Sequence, residues 1–283
     1  MMSRLRRDER GFTIVEGLVV LVVTGILITL MFKFHVMQNK EYDIQTQISF
    51  LQKDIRSSME SLGAEIRMAG SGFPKTALAT AVTIIEDETE TQTGEPPSDE
   101  IIILRAVPGL RCVLTDSMAN PEAPLKCDNT AGFEEGWAVI SDNDGAEAFL
   151  IGEVNQDCVK LTPAEALSRT YHANAVVLQA HYRHIYLDKE TCPDHPRLVK
   201  RDWQGHESIV AEDIENIRFS YILHDDTETT VQPADITQIE MVRMSIVGRT
   251  ARADSSLPEE DPYRKRDMST RVQLRNFHLK SGI

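Results

Sequence analysis

Glu16 is a single carboxylate near the start of an apolar run that extends from Phe12 to Phe32. A carboxylate in a membrane segment costs about 2.5–3.5 kcal/mol on insertion scales, so it needs either a shallow position near the headgroups or a cationic partner. Cleavage after Gly11 would create such a partner, the amine of Phe12, one helical turn before Glu16. The sequence therefore offers Glu16 a cationic partner only if the chain is cut after Gly11. The amine of Phe12 on the same chain, or on a neighbouring subunit, could then pair with Glu16.

The apolar run has the length of a membrane-spanning helix, because residues 12–32 would extend about 30 Å. Arginines at positions 4, 6, 7 and 10 precede it, which predicts a cytoplasmic N-terminus and export of the remainder. No small-x-small cleavage site follows the run, so it differs from a secretory signal, and a cut after Gly11 would leave the helix in the mature chain. We expect a leader over residues 1–11 and one membrane span over residues 12–33.

An amphipathic half of the same helix is predicted over residues 34–70. Apolar residues recur there at steps of three and four, at positions 44, 48, 51, 55, 59, 62, 66 and 69. Residues 70–74 end the pattern, because glycine accepts the left-handed cap conformation and proline cannot continue a helix. We expect one helix from about residue 12 to about residue 69, with its stripe packed on the following domain. A coiled coil with a partner helix is the alternative.

Residues 71–283 have the pattern of an exported, β-rich globular domain, with short runs of strand-forming residues between turn residues. Alternating apolar and polar residues over 176–183 and 242–247 predict half-buried strands. The predicted strands are residues 81–85, 100–106, 111–114, 137–141, 148–154, 159–161, 176–187, 198–200, 217–223, 241–249 and 271–279.

Turn signals complete the predicted architecture. Residues 143–145, Asn-Asp-Gly, predict a hairpin. Residues 86–100 contain seven acidic residues, no basic ones and two prolines, and residues 253–268 mix prolines with charges, so both stretches are expected to be solvated loops. A long helix followed by many strands predicts an α+β fold, with the helix packed on a mostly antiparallel β-rich domain.

Composition and motifs weigh against nucleic-acid binding and catalysis. A formal net charge of −14 disfavours phosphate backbones. Nucleotide-binding and hydrolase motifs are absent, so we expect no enzyme, no cofactor and no metal.

Three groups of residues could be mistaken for binding sites. His181 and His184 would lie on opposite faces of a strand, so they are not expected to share a metal ion. The oxygen-rich turn from Asp142 lacks EF-hand spacing, which favours a plain turn over calcium. Trp137 and Trp203 are expected to be core or edge aromatics rather than a sugar platform.

The four cysteines are Cys112, Cys127, Cys158 and Cys192. They form no CxxC, and no zinc-site spacing is present, so a structural metal is not expected. In an exported domain, disulfides are the favoured interpretation. Four cysteines allow three pairings, among which we expect the nearest-neighbour one, Cys112–Cys127 with Cys158–Cys192.

The segment Gly11-Phe12-Thr13-Ile14-Val15-Glu16, with basic residues before it and the apolar run after it, resembles the prepilin motif of type IV pilins and type II secretion pseudopilins. This resemblance implies that a prepilin peptidase cleaves after Gly11 and methylates Phe12, and that Glu16 guides docking. The implied partners are other minor and major pilins and an inner-membrane assembly platform. The implied location is the inner membrane, with the C-terminal domain in the periplasm, and then the pilus filament at the cell surface.

Over most of its length the chain is similar to the PilW family of large minor pilins. The similar segments occur in the same order and comprise residues 50–74, 136–142, 207–220, 241–250 and 271–276. The resemblance implies a minor pilin that primes assembly of a type IV pilus and lies near its tip. A J-type minor pseudopilin of a type II secretion system shares much of the pattern. Two more functions are compatible with such an anchored, exported domain, namely a tip adhesin and a membrane-anchored enzyme.

Overall fold

The computed structural model describes residues 14–86, 98–157, 159–233, 235–258 and 260–278. Within these ranges it has one α-helix, α1 (Ile14–Arg67), then thirteen β-strands and three short 3-10 helices. The strands are β1 (Val82–Ile85), β2 (Glu100–Val113), β3 (Leu125–Lys126), β4 (Gly136–Ser141), β5 (Ala146–Asn155), β6 (Lys160–Pro163), β7 (Val176–Asp188), β8 (Arg197–Arg201), β9 (Glu207–Glu212), β10 (Ile214–Leu223), β11 (Glu228–Thr229), β12 (Ile239–Arg249) and β13 (Lys265–Gln273). The 3-10 helices are Lys75–Thr80, Ile236–Gln238 and Arg275–His278. The long apolar helix and the antiparallel strands confirm the predicted α+β, pilin-like fold.

Helix α1 is uninterrupted from Ile14 to Arg67, within the predicted range of about 12 to 69, because the segment contains no proline. It ends at Arg67, and the two glycines that follow adopt the left-handed conformation, with φ of +66° at Gly70 and +82° at Gly72. The Gly70 amide then donates to the Leu104 carbonyl at 2.8 Å, so the chain passes directly from the helix to the sheet. The predicted stop signal is confirmed.

The chain divides into two compact units at the boundary between Ser49 and Phe50, and α1 runs through this boundary. In the second unit, the helical stripe is buried from Leu51 to Ile66. Its close neighbours include strand residues: a Cβ atom on Gly248 of β12 would lie 2.7 Å from Leu51 Cδ1. The stripe therefore packs on the domain of its own chain, and the coiled-coil alternative is wrong for this segment.

The first sheet has nine strands in the order β1-β2-β7-β4-β5-β6-β3, with β8 paired to β7 and β9 paired to β8. All of these pairings are antiparallel. β7 pairs with β2 along one edge, whereas its other edge is shared by β4 and β8. β2 continues as one strand across the predicted break because an irregularity between Ala106 and Arg111 absorbs the proline and glycine there.

Part of the first sheet closes into a small barrel. Leu114, just after β2, forms a bridge with Cys127, just after β3, so the strands β2, β7, β4, β5, β6 and β3 make a ring. The ring encloses a second core, which contains Phe149 and Tyr171 among its buried residues. In β7, Val177 faces this second core while Leu178 faces the first one. The predicted half-buried pattern of β7 is therefore wrong at these residues, because the sheet is covered on both faces.

The second sheet has the order β11-β10-β12-β13 and shares the first core with the second half of α1. The predicted alternation in β12 is confirmed, with Val242, Met244 and Ile246 buried. Asp99 joins the two sheets, because its amide donates to the Ile217 carbonyl at 2.9 Å and its Oδ2 accepts from the Phe219 amide at 2.8 Å. The predicted solvated loop over 86–100 is thus wrong at its end, and residues 87–97 lie outside the described residues.

Four strands differ from the sequence prediction. β3, β9 and β11 were not predicted, and β13 begins at Lys265 inside the stretch expected to be a loop. β13 ends at Gln273, and a 3-10 helix occupies residues 275–278 of the predicted last strand, whose residue 279 lies outside the described residues. β3 and β11 have two residues each, β9 has its apolar residues in a row and β13 is mostly polar, so backbone pairing rather than apolar alternation determines them.

Candidate functional site

The first half of α1 exposes an apolar surface on all sides. Between Ile14 and Met37, each large apolar side chain is exposed, from 49% at Val23 to 86% at Ile14. By length and composition α1 can cross a membrane, and residues 14–32 alone would extend about 28 Å. An apolar surface of this extent is unfavourable in water, so lipid or other apolar helices are its expected surroundings.

Glu16 lies in the first turn of α1. The N-terminal end of a helix carries a partial positive charge from its unpaired amides, so a carboxylate is favoured at this position. Gly11 and Phe12 lie outside the described residues. The predicted processing site and the pairing of Glu16 with the Phe12 amine therefore stay predictions.

One threonine and two glycines lie within the apolar half of α1 and bear on how it can pack. The Thr29 hydroxyl donates to the Gly25 carbonyl at 2.9 Å, which satisfies the hydroxyl without water. Gly17 and Gly25 have no atom within 4 Å of the position a Cβ would occupy. Small residues of this kind allow close approach of a second helix.

Two of the predicted disulfide cysteines lie side by side. The sulfur atoms of Cys112 and Cys127 are 2.9 Å apart, and both residues are buried free thiols. The hydrogen bond to Cys127, followed by burial and the charge of Asp128, raises the pKa of the Cys112 thiol. Cys192 is a half-buried free thiol, in a turn where the His195 amide donates to its carbonyl at 3.0 Å. Cys158 lies outside the described residues.

Asp142 holds the β4–β5 hairpin in the arrangement predicted for residues 143–145. Its Oδ1 accepts from the Asp144 amide at 2.9 Å and from Arg169 Nη2 at 2.5 Å. Burial alone would raise the pKa of Asp142, but the bonds from Arg169 and from the turn amides lower it. The carboxylate is thus engaged by a cation of the chain, which favours a turn over a calcium loop. Among the described residues, no group of three or more His, Cys, Asp or Glu is arranged to hold a metal ion.

The two histidines of β7 have separate surroundings. His184 Nε2 lies 2.6 Å from Glu100 Oε2. Burial, followed by the charges of Arg105 and Arg183, lowers the pKa of His181. They do not share a site, as their spacing on a strand predicts.

Both tryptophans contact neighbouring elements, as expected for core and edge aromatics. Trp137 stacks on Tyr182, with ring centroids 5.1 Å apart and planes at 10°. Trp203 is 37% exposed, and its ring lies 3.1 Å from the position of a Cβ on Gly136.

A cavity of about 400 Å³ beside β7 was not indicated by the sequence. Three of its lining residues interact with one another. The Arg201 guanidinium lies 4.6 Å from the centre of the Tyr186 ring. The Tyr186 hydroxyl and the Arg201 guanidinium both donate hydrogen bonds to Glu207 Oε1. Burial, followed by the hydrogen bond to Glu207, raises the pKa of Tyr186 to about 12. The three members of this cluster lie on three strands, β7, β8 and β9, so their spacing in the sequence forms no local pattern.

Comparison with known families identifies the N-terminal segment. Residues 6–32 match the model of the prokaryotic N-terminal methylation motif, a range that includes Gly11, Phe12, Glu16 and most of the exposed apolar surface. No curated protein matches the chain. The motif, the membrane-capable helix and the antiparallel β-rich domain together support a type IV pilin-like protein. Such a motif implies processing by a prepilin peptidase, association with a membrane and assembly with other pilins.

Proposed function

We propose that this chain is a minor pilin that primes assembly of a type IV pilus and lies near the filament tip. One observation carries the proposal. The methylation motif of residues 6–32 leads into a helix whose first half exposes apolar side chains on all sides, while one stripe of the second half is buried against the β-rich domain. One end of the helix is thus suited to packing among other helices, and the other end carries a folded domain.

Docking would depend on packing and on one charge. In lipid, helices associate through close packing and polar pairs, since the lipid already surrounds apolar side chains. Processing after Gly11 would place an amine on Phe12, and that amine on the same or a neighbouring subunit would neutralise Glu16. A buried ion pair of this kind contributes more to register than to stability.

The minor role and the tip position are supported by the size of the domain. Residues 71–283 follow the helix, and a domain this bulky packs poorly within a dense helical array. At a tip, one side of the subunit has no neighbour, which removes this steric conflict. The arginines before the apolar run support a cytoplasmic N-terminus, an inner-membrane span and a periplasmic domain.

Substitution of the residue before the cut tests processing. Gly11→Val should prevent cleavage and methylation, because a branched side chain replaces the small residue at the scissile bond. Gly17→Val is the matched control, since a Cβ there meets no atom within 4 Å, and it should be processed normally. Mass spectrometry of the N-terminus reports both events. A mature-length, methylated N-terminus in Gly11→Val would contradict the proposal.

Removal of the Glu16 charge tests docking. Glu16→Gln should insert into the membrane normally but copurify with other pilins about tenfold less, a loss equivalent to about 1.4 kcal/mol. Glu41→Gln, an exposed acidic position later in α1, is the control and should copurify like the unmodified chain. Equal recovery of Glu16→Gln would argue against a docking role.

Deletion of the gene distinguishes the proposed role from the competing ones. A priming minor pilin predicts few or no filaments in the deletion strain, with protein secretion intact. Loss of secretion with filaments retained would favour the J-type pseudopilin. Normal filaments that fail to attach would favour a tip adhesin.

A further inference from the structure

We infer that Cys112 and Cys127 form a disulfide that locks the seam of the barrel within the first sheet. The inference rests on the proposed export of the domain, because disulfides persist in oxidising compartments and are rare in the cytosol.

The seam is the place where the chain just after β2 pairs with the chain just after β3, and it is short. β3 has two residues and pairs with β6 only through Leu125 and Lys126. Across the seam, the Asp128 amide donates to the Val113 carbonyl and the Thr115 amide to the Lys126 carbonyl, each at 2.9 Å. Opposite β2, by contrast, β7 pairs along most of its length. A covalent bond at the seam would therefore strengthen a strand pairing that has few backbone hydrogen bonds of its own.

The two thiols already have the arrangement that such a bond needs. Cys127 belongs to the seam through its bridge with Leu114, and Cys112 lies in β2 two residues before Leu114. Their sulfur atoms are 2.9 Å apart, and a disulfide bond length is about 2.0 Å, so closure needs an approach of roughly 0.9 Å. Both side chains point into the barrel core, with exposures of 1% and 5%.

The chemistry is a two-electron thiol–disulfide exchange. The S–H bonds of Cys112 and Cys127 break, one S–S bond forms, and two protons and two electrons leave the pair. A protein or small-molecule disulfide accepts them and becomes two thiols. Because the local environment raises the pKa of the buried Cys112 thiol, the reactive thiolate forms more readily before the barrel closes. Oxidation is thus expected to accompany folding.

Cys192 supplies a matched control within the same chain. It lies in the turn between β7 and β8 and is half-buried, and it does not belong to the barrel core. Substitution of this thiol should leave the seam intact.

The test uses the full-length chain, expressed with its leader, extracted in detergent without reductant and alkylated in denaturant. Peptide mass spectrometry should show a Cys112–Cys127 link. The double variant Cys112→Ala/Cys127→Ala should melt about 6–12 °C lower than the unmodified chain, the shift expected for a bond that closes a loop of this size. Reductant should lower the melting temperature of the unmodified chain to the same level, and Cys192→Ser should change neither result. Alkylation of both Cys112 and Cys127, or a link from either to Cys158 or Cys192, would overturn the inference.

A second experiment tests whether the two thiols can form the bond independently of the redox conditions in the cell compartment. The chain is unfolded and reduced, then refolded in detergent with oxidised glutathione. Closure in glutathione, with both thiols free in the chain isolated from cells, would overturn the inference and assign the failure to the proposed export. If the Cys112–Cys127 bond forms in neither preparation, the inference is overturned because the geometry does not allow the bond. That result would leave the export proposal untouched.

Discussion

The two halves of α1 have opposite surroundings although they belong to one continuous helix. Leu27 in the first half is 55% exposed, whereas Leu62 in the second half is fully buried. The first half is apolar on all sides, and the second half has one apolar stripe between polar faces. An all-round apolar helix requires lipid or several helices around it, whereas a stripe requires only one packed face. The distribution of apolar residues around the helix thus indicates which half is covered by the chain itself.

The acidic residues of the two halves differ in the same way. Glu65, in the second half, has a cation within its own domain, because Lys200 Nζ lies 3.3 Å from Glu65 Oε1. The expected cation for Glu16 is the Phe12 amine, which exists only after processing. Glu65 is thus paired with a cation of its own folded domain, whereas the cation expected for Glu16 is supplied by maturation.

The largest expected difference between the halves comes from leucine truncation. Leu62→Ala should lower the free energy of unfolding by about 2–5 kcal/mol, because it leaves a cavity between α1 and the sheets. Leu27→Ala removes the same atoms from an exposed position, so the change should stay within about 0.5 kcal/mol. Denaturant unfolding of the full chain in detergent measures both. Equal losses would show that the two halves are covered alike in the isolated chain.

A smaller difference is expected from glycine substitution. A Cβ on Gly248 would lie 2.7 Å from Leu51 Cδ1 and 3.0 Å from Ile55 Cδ1. Gly248→Val should therefore lower the free energy of unfolding by about 1–3 kcal/mol through overpacking. Gly25→Val, in the exposed half, has open space and should cause no loss. Comparable melting temperatures for the two variants would mean that β12 does not press closely on the buried half.

The smallest expected effect concerns the charge pair of the buried half. Lys200→Met should lower the free energy of unfolding by about 0.5–1 kcal/mol, because Glu65 would lose its partner in a partly buried site. Lys126→Met breaks a pair with Asp116 that is also within 4 Å but mostly exposed, and should have almost no effect. Thermal melts at low and high salt compare the two pairs. A larger loss for Lys126→Met would contradict the importance of burial here.

Local signals predicted much of the fold. The helix, its glycine stop, the β4–β5 hairpin and the alternation of β12 each depend on residues that are close in sequence. The N-terminal motif is of the same kind, because Glu16 and the apolar run are contiguous. β3, β9, β11 and β13 were not predicted correctly because they are too short, too polar or lack alternation of apolar and polar residues, and their partner strands determine them.

The sequence alone determined that the chain has a membrane-length helix with a processing motif and continues into a strand-rich domain. These features depend on composition and on the spacing of apolar residues, which recur every three or four residues in a helix and every two in a strand. They can therefore be recognised from a short stretch of sequence. Only the tertiary structure decided that the stripe of α1 packs on its own domain rather than on a partner helix, that part of the first sheet closes into a barrel, and that Cys112 lies beside Cys127. Each of these depends on which distant strands pair, and many pairings are compatible with the same local pattern. The motif around Glu16 was therefore recognisable from residues in a row, whereas the barrel seam became visible only once the strands were in register.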